Sequence, residues 1–318
     1  FNYGKEKRKM HIYSTCGIYY IQENDVSVTG MIDRAKLAKG YITDEYLKPY
    51  AIFKNDMKDT YVDEMEICSE FEEGIEKQEF QVFYQPVVDA RTGKIVSAEA
   101  LVRWLHEQKG FISPGHFIPA LEKGGYISQL DRYMIEKVTG CLNQRRTEGK
   151  RFVPVSVNLS WMDFYDENML EWIVRGLKKN NQNEQKIRFE ITETSLAAIG
   201  ENHTRMLMHL KENGVKIMLD DFGSGYSSLG MLQDYDFDIL KIDISFVRNI
   251  GVNKKSESIL RAIIDMAHQL GIQLVAEGAE TEEQTAFLRE NGCDYIQGYY
   301  YYKPMPEAEF LQLLEEGK

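Results

Sequence analysis

From about Gln81 onward the chain repeats one hydrophobic pattern: a short β-rich run, a turn, then an amphipathic stretch. The strand-like runs are Gln81–Val88, Ile95–Trp104, Val153–Leu159, Ile187–Thr192, Lys216–Phe222, Ile239–Ile244, Gln273–Glu277 and Tyr295–Tyr300. Helical spacing separates most of them. Asn168–Lys179 places Leu170, Ile173, Val174 and Leu177 on one face, and Glu257–Leu270 does the same with Ile259, Ile263 and Ala267. Gly214, Gly271 and Gly292 follow three such helices as stop signals. Met206, Leu207 and Leu210 read as the buried stripe of another helix. Eight strands alternating with helices predict an α/β fold, a (β/α)8 TIM-like barrel; an open doubly wound sheet is the competing arrangement. Only the six residues Asp89 to Lys94 separate the first two runs, too few for a crossover helix. They should form a hairpin, leaving one antiparallel strand near the start of the barrel.

Residues 1–65 break the pattern. Ile12–Ile21 reads as a strand and Val28–Lys39 as a helix, followed by a polar stretch rich in Asp and Lys. So short a piece buries little core alone. We read it as a small N-terminal α/β remnant and linker, with the barrel over 66–318 and a helix at Met65–Lys77 leading into it.

Composition narrows the function classes. Of the 318 residues, 43% are hydrophobic, enough for a large globular core and far too many for disorder. Apolar runs are short and interrupted by charge, so no span of a membrane is expected, and no secretory signal pattern opens the chain. The chain starts at Phe1, so an upstream segment or tether is compatible with it. Four scattered cysteines (Cys16, Cys68, Cys141, Cys293) form no CxxC pair, which argues for a reducing, cytoplasmic setting. A net charge of −12 argues against polymeric nucleic acid as partner, and implies that an anionic ligand needs a local cation.

Chemistry in such barrels gathers at the C-terminal strand ends. These ends carry Glu99 and Arg103, Asn158, Glu190 and Glu193, Asp220 and Asp221, Lys241, Glu277 and Glu280, and Gln297. Two carboxylates ~5 Å apart repel by ~3 kcal/mol at an effective dielectric of ~20. Several in one mouth therefore call for hard divalent cations, and Asp, Glu and Asn oxygens suit Mg2+ or Mn2+. Paired ions would polarise a phosphoryl oxygen and activate water for in-line attack. Lys241 suits orienting that water or offsetting charge on phosphorus, and Arg103 suits a bidentate phosphate grip. Gly223 to Ser228, with Ser224 and Ser227, reads as a loop able to close over substrate. Singly, each residue has an ordinary reading: a turn at Asp220-Asp221, a surface pair at Lys241 and Asp243, a structural Arg103–Glu99 pair. Jointly they point to a hydrolytic phosphodiester site. In Tyr299–Tyr302, alternation suggests that half the rings pack in the barrel; stacking on nucleobases is the other reading.

The ordered series of motifs resembles the EAL-domain cyclic-di-GMP phosphodiesterases over roughly residues 70–315. The segments are Tyr84-Gln85-Pro86, Glu99-Ala100-Leu101-Val102-Arg103-Trp104, the run from Ser113 to Pro119, Asn158-Leu159-Ser160 and Glu190-Ile191-Thr192-Glu193. They continue with Asp220 to Gly225, Lys241-Ile242-Asp243, Ala276 to Thr281, and Gln297-Gly298 before Lys303-Pro304. The resemblance implies a barrel with one antiparallel strand and metal ligation by Glu99, Asn158, Glu190, Asp220, Asp221 and Glu277, holding two Mg2+ or Mn2+ ions. It implies that Lys241 assists the attacking water, that Glu280 holds the Gly223–Ser228 loop, and that Gln85, Arg103 and Gln297 meet substrate or water; Asp243 joins this substrate-binding set. It further implies hydrolysis of cyclic di-GMP to linear pGpG, Ca2+ inhibition, and a homodimer through the barrel. Thr15 to Tyr19 and Met31 to Lys36 resemble the last strand and helix of a GGDEF-type domain, whose signature loop is absent from this chain, so no cyclase activity is assigned; an upstream sensor or GGDEF domain is the expected context. Leu121-Glu122-Lys123 and Ser224 depart mildly from the family pattern, and neither removes a ligand. Two other readings compete: a catalytically silent cyclic-di-GMP receptor acting through a protein partner, and a scaffold barrel that binds neither metal nor nucleotide.

Overall fold

A computed structural model describes residues 2–3, 8–9, 14–42, 48–179, 186–198, 204–225 and 228–317. Ile12 and Tyr13 of the first expected strand, Tyr226 and Ser227 of the serine loop, and the side chains of Leu170, Leu177, Met206 and Ser228 lie outside the described residues. The chain divides into two compact units, Phe1–Glu72 and Glu73–Lys318.

In the first unit, strands Cys16–Ile18 and Tyr50–Ile52 pair in parallel. Helix Val28–Lys39 connects them in sequence, capped by Ser27, whose hydroxyl accepts from the Gly30 N–H at 3.2 Å. Gly17 permits the contact between strand and helix, because a Cβ there would lie 1.7 Å from the Ala35 carbonyl oxygen. The Tyr50–Ile52 strand escapes a reading of periodicity because three residues are too few to show one. Helix Asn55–Glu76 begins ten residues before the expected start at Met65. Its first half is nearly all exposed, so no apolar stripe announces it.

The second unit is a closed barrel of eight strands. We label them β1 (Phe80–Asp89), β2 (Ile95–His106), β3 (Val155–Asn158), β4 (Ile187–Thr192), β5 (Lys216–Phe222), β6 (Ile239–Ile242), β7 (Gln273–Glu277) and β8 (Tyr295–Gln297). β2 through β8 run parallel to one another, and β1 is antiparallel to both its neighbours, β2 and β8. The short β1–β2 connection dictates this reversal, as the hairpin argument anticipates. The open-sheet alternative fails because β8 returns to β1 and closes the ring. Val87, Met218, Ile239 and Val275 fill the interior as a buried cluster.

Gly214, Gly271 and Gly292 sit at φ of +80°, +72° and +83°, the left-handed turn that glycine tolerates after a helix. Two expectations need correction. In helix Lys254–Gln269 the buried positions are Leu260, Ile263, Ile264 and Ala267, while Ile259 is 42% exposed. The apolar arc is one position wider than the stripe and leaves Ile259 on its rim. The last strand also stops at Gln297, three residues early. Gly298 lies so close to Ala279 that a Cβ would come within 2.1 Å of its carbonyl oxygen, and Tyr301 and Tyr302 both donate to the Gly298 carbonyl in a turn. Tyr299 and Tyr300 are consequently exposed instead of alternating into the barrel.

Aromatic rings pack the β1–β2 hairpin against helix Pro114–Gly124. Trp104 is fully buried, stacks on Phe80 at 4.6 Å between centroids, meets Phe117 edge-on at 5.7 Å, and donates its indole N–H to Glu79 at 2.9 Å. Trp104→Ala is expected to cost about 3–5 kcal/mol, read by urea unfolding. A loss under about 1 kcal/mol would show that these rings add little to the packing of the hairpin on its helix.

Candidate metal centre at the barrel mouth

Strand register assembles the site. Gln85 lies opposite Glu99, Asn158 beside Glu190, and Glu277 beside Gln297. Registered neighbours on adjacent strands face the same side of a sheet, so these pairs project together into the mouth. Asp220 and Asp221 need a further device, since consecutive residues of a regular strand point to opposite faces. The β5–β6 pairing shifts register between Leu219 and Phe222, and Asp221 takes φ +56°. Asp is among the few residues that tolerate this left-handed backbone. The irregularity brings carboxylate oxygens of Asp220, Asp221 and Glu277 within 4.8 Å of one another.

At the centre sits Lys241, 1% exposed. Its Nζ lies 2.7 Å from Glu277, 3.1 Å from Asp220 and 3.3 Å from Glu99, and also pairs closely with Glu190. Glu99 further accepts from Gln297 at 2.6 Å and from Asn158 at 3.3 Å, while Gln297 donates to Gln85 at 3.2 Å. Thus all six ligands that the resemblance implies, with Lys241, Gln85 and Gln297, meet around one cleft.

Burial opposes the charge on each carboxylate, and the neighbours decide the outcome. For Glu99, Lys241 and the Gln297 and Asn158 amides outweigh burial and hold the carboxyl below its usual range. In Glu190, burial and the charges of Glu99 and Asp220 prevail over Lys241, so its pKa is pushed well up. Glu277 is raised to about 7, first by burial and then by Asp220 and Glu99, with Lys241 opposing. Asp221 is raised by burial and by Asp220. Burial alone would lower the Lys241 pKa, but four carboxylates more than reverse this and keep it protonated.

One ammonium offsets one of the five carboxylates, so full ionisation leaves four negative charges uncompensated. The Glu190 Oε1 atom is buried with no hydrogen-bond partner among the described residues. An unpartnered carboxylate oxygen beside an excess of oxygen donors fits a hard divalent cation. These residues fit the implied metal.

The other expected residues are placed differently. Glu280 and Gln297 line the same cleft of about 340 Å³. The carboxylate that accepts from the Gly223 and Gly225 N–H groups, each at 3.3 Å, belongs to Glu193, not Glu280. Glu193 follows β4 directly, whereas Glu280 donates its own backbone N–H to the Gln284 side chain at 2.7 Å. The sequence signal for Glu193 was its place three residues after Glu190. Asp243 is engaged as a helix N-cap, accepting from the Ser245 N–H at 3.0 Å. Arg103 is half-buried, donates to its neighbour's carbonyl on Val102 at 2.8 Å and lies over the Phe83 ring; it makes no ion pair with Glu99 among the described residues.

A barrel of mainly parallel strands with a carboxylate–lysine cluster at its strand ends defines the class as a TIM-like barrel with an acidic mouth. A family model described as EAL domain matches residues 69–304, and the chain belongs to the EAL domain family. It is 33% identical over 251 residues to the cyclic di-GMP phosphodiesterase NbdA of Pseudomonas aeruginosa, covering 79% of this chain and 32% of that protein. It is 34% identical over 240 residues to the probable cyclic di-GMP phosphodiesterase PdeG of Escherichia coli, covering 76% and 47%. The structure is similar to the phosphodiesterase of MucR, a Pseudomonas aeruginosa protein, in complex with c-di-GMP, with a TM-score of 0.72, 31% identity and coverage of 77% and 99%. The chain spans less than half the length of these two sequence relatives. No described helix is long and apolar enough to cross a membrane.

The raised Glu277 makes metal-free stability depend on pH. A carboxyl near 7 when folded and near 4.5 when unfolded favours folding below about 4.5, and that contribution is lost as pH rises to about 7. In EDTA, stability should therefore fall by up to about 3 kcal/mol between pH 4.5 and 7.5, and Glu277→Gln should flatten the profile. Urea unfolding across that range checks this; a flat wild-type profile would refute it.

Proposed function

We propose that this chain hydrolyses cyclic di-GMP to linear pGpG with Mg2+ or Mn2+. The observation that carries the reading is the clustering of five carboxylates and one carboxamide at the mouth of the barrel, four of the carboxylates in contact with one buried lysine. Glu99, Asn158, Glu190, Asp220, Asp221 and Glu277 would hold the metal, two ions in this reading. The bound metal supplies Lewis-acid polarisation of a phosphoryl oxygen and a lowered pKa for water. Water adds to phosphorus, one ester P–O bond breaks, and the released ribose oxygen takes a proton. Lys241 keeps a full positive charge at Nζ beside the reacting phosphate. Gln297 and Gln85 fix the orientation of Glu99, Arg103 contributes a guanidinium for phosphate, Glu280 borders the cleft, and Asp243 holds the helix that follows Lys241. In the same reading, residues 1–65 are the C-terminal part of a degenerate GGDEF-like domain and 66–318 the EAL barrel. The parallel strand–helix–strand unit of the N-terminal segment supports this.

Purified protein incubated with cyclic di-GMP and Mn2+ should release pGpG, followed by liquid chromatography. Substrate that stays intact while still binding would favour the silent receptor; substrate that neither binds nor reacts would favour the scaffold. Glu99→Ala should lower turnover by more than about a hundredfold, since loss of even an outer-shell partner of a metal ligand costs 10–100-fold. Its circular dichroism should match wild type. Unchanged turnover would overturn the ligand assignment.

A further inference from the structure

Helix Ile244–Arg248 follows β6 directly and is wedged between two loops of the mouth. On one side Phe246 fills the space beside Gly223, where a Cβ would lie 2.5 Å from the ring. On the other, Ile244 fills the space beside Gly278, where a Cβ would come within 2.2 Å. Val247 is fully buried, and Asp243 caps the N-terminus. The five-residue helix is therefore a packed bracket, and the backbone of its last residue is held by the packing of Ile244, Phe246 and Val247.

That residue is Arg248. Its side chain is exposed and borders the same cleft as Glu99, Asp220, Glu277 and Glu280. It forms no hydrogen bond, ion pair or ring contact among the described residues. In a chain of net charge −12, most cations near acids find a partner, as Arg34, Arg132, Arg145 and Lys211 do. An arginine on a rigid bracket at an acidic cleft, left without a carboxylate, presents its donors to whatever occupies the cleft.

Resting on the phosphodiesterase reading above, we propose that Arg248 binds the second, non-reacting phosphodiester of the cyclic dinucleotide. The substrate carries two phosphodiesters. In that reading the reacting one would have Lys241, Arg103 and the metal beside it, while the other enters the field of an acid-rich mouth with no cation of its own. Electrostatics alone would repel it. A guanidinium at the rim offsets that repulsion and favours a cyclic dinucleotide over ligands with a single phosphate. This makes Arg248 a specificity-determining residue.

The test compares wild type, Arg248→Ala and Arg248→Lys. Loss of a charge-assisted contact to phosphate should raise the KM of Arg248→Ala for cyclic di-GMP at least about tenfold, with kcat within about twofold. Arg248→Lys, which keeps a point charge, should stay within about threefold of wild type. If Lys fails as badly as Ala, the guanidinium fork is reading a guanine edge and the phosphate assignment is overturned. If Ala leaves KM unchanged, or lowers kcat with KM unchanged, the assignment is likewise overturned. Should wild type leave the substrate intact, the hydrolytic reading fails by itself. Equilibrium titration with cyclic di-GMP then decides Arg248: at least about tenfold weaker binding in Arg248→Ala supports the contact, and equal binding overturns it.

Discussion

The mouth of this barrel is organised around one ammonium group that has no access to water. Lys241 touches four carboxylates, and each attraction at about 3 Å is worth roughly 5 kcal/mol at an effective dielectric of ~20. Desolvation of several buried ions works against that gain at several kcal/mol apiece. The lysine therefore makes the acids tolerable without neutralising them. Charge is left over, and its remedies are protons at Glu190 and Glu277 or a divalent cation among the same oxygens. Stability and metal affinity thus draw on the same side chains.

This constraint explains the local irregularities. A regular β5 would send Asp221 outward; the register shift and the left-handed backbone at Asp221 turn it back toward Asp220 and Glu277. The loop that follows is tethered by Glu193 through the Gly223 and Gly225 amides. Gly225 has little room for a side chain there, since a Cβ would lie 3.0 Å from the Glu193 carboxylate. Acidic cluster and loop are thus joined through β4, which carries Glu190 on its inner face and is followed by Glu193.

Amides serve where more charge would be unaffordable. Gln297, Gln85 and Asn158 supply donors and acceptors around Glu99 at no cost in net charge. Cations are placed according to environment: Lys241 buried and caged, Arg103 half-buried over Phe83, Arg248 exposed at the rim. This grading from centre to edge suits a ligand whose reacting group sits deep while the rest of it reaches toward solvent.

Much of this was legible in the sequence. Short β-rich runs located all eight strands, the Asp89–Lys94 spacing forced the antiparallel β1, and acidic and amide residues at the strand ends marked the acidic cluster, because these are local properties of the chain. Local pattern fails where contacts between distant segments decide. Nothing near Glu193 says that its partner is a loop thirty residues on, and the family resemblance implied Glu280 for that loop. Tyr299 and Tyr300 looked like strand until the approach of Gly298 to Ala279 turned the chain. Asp243 resembled a ligand-facing acid and became a helix cap. Composition and periodicity determine which elements form and which face is buried; only closure of the barrel decides which charges meet, because Coulomb energy depends on distances that no single segment specifies.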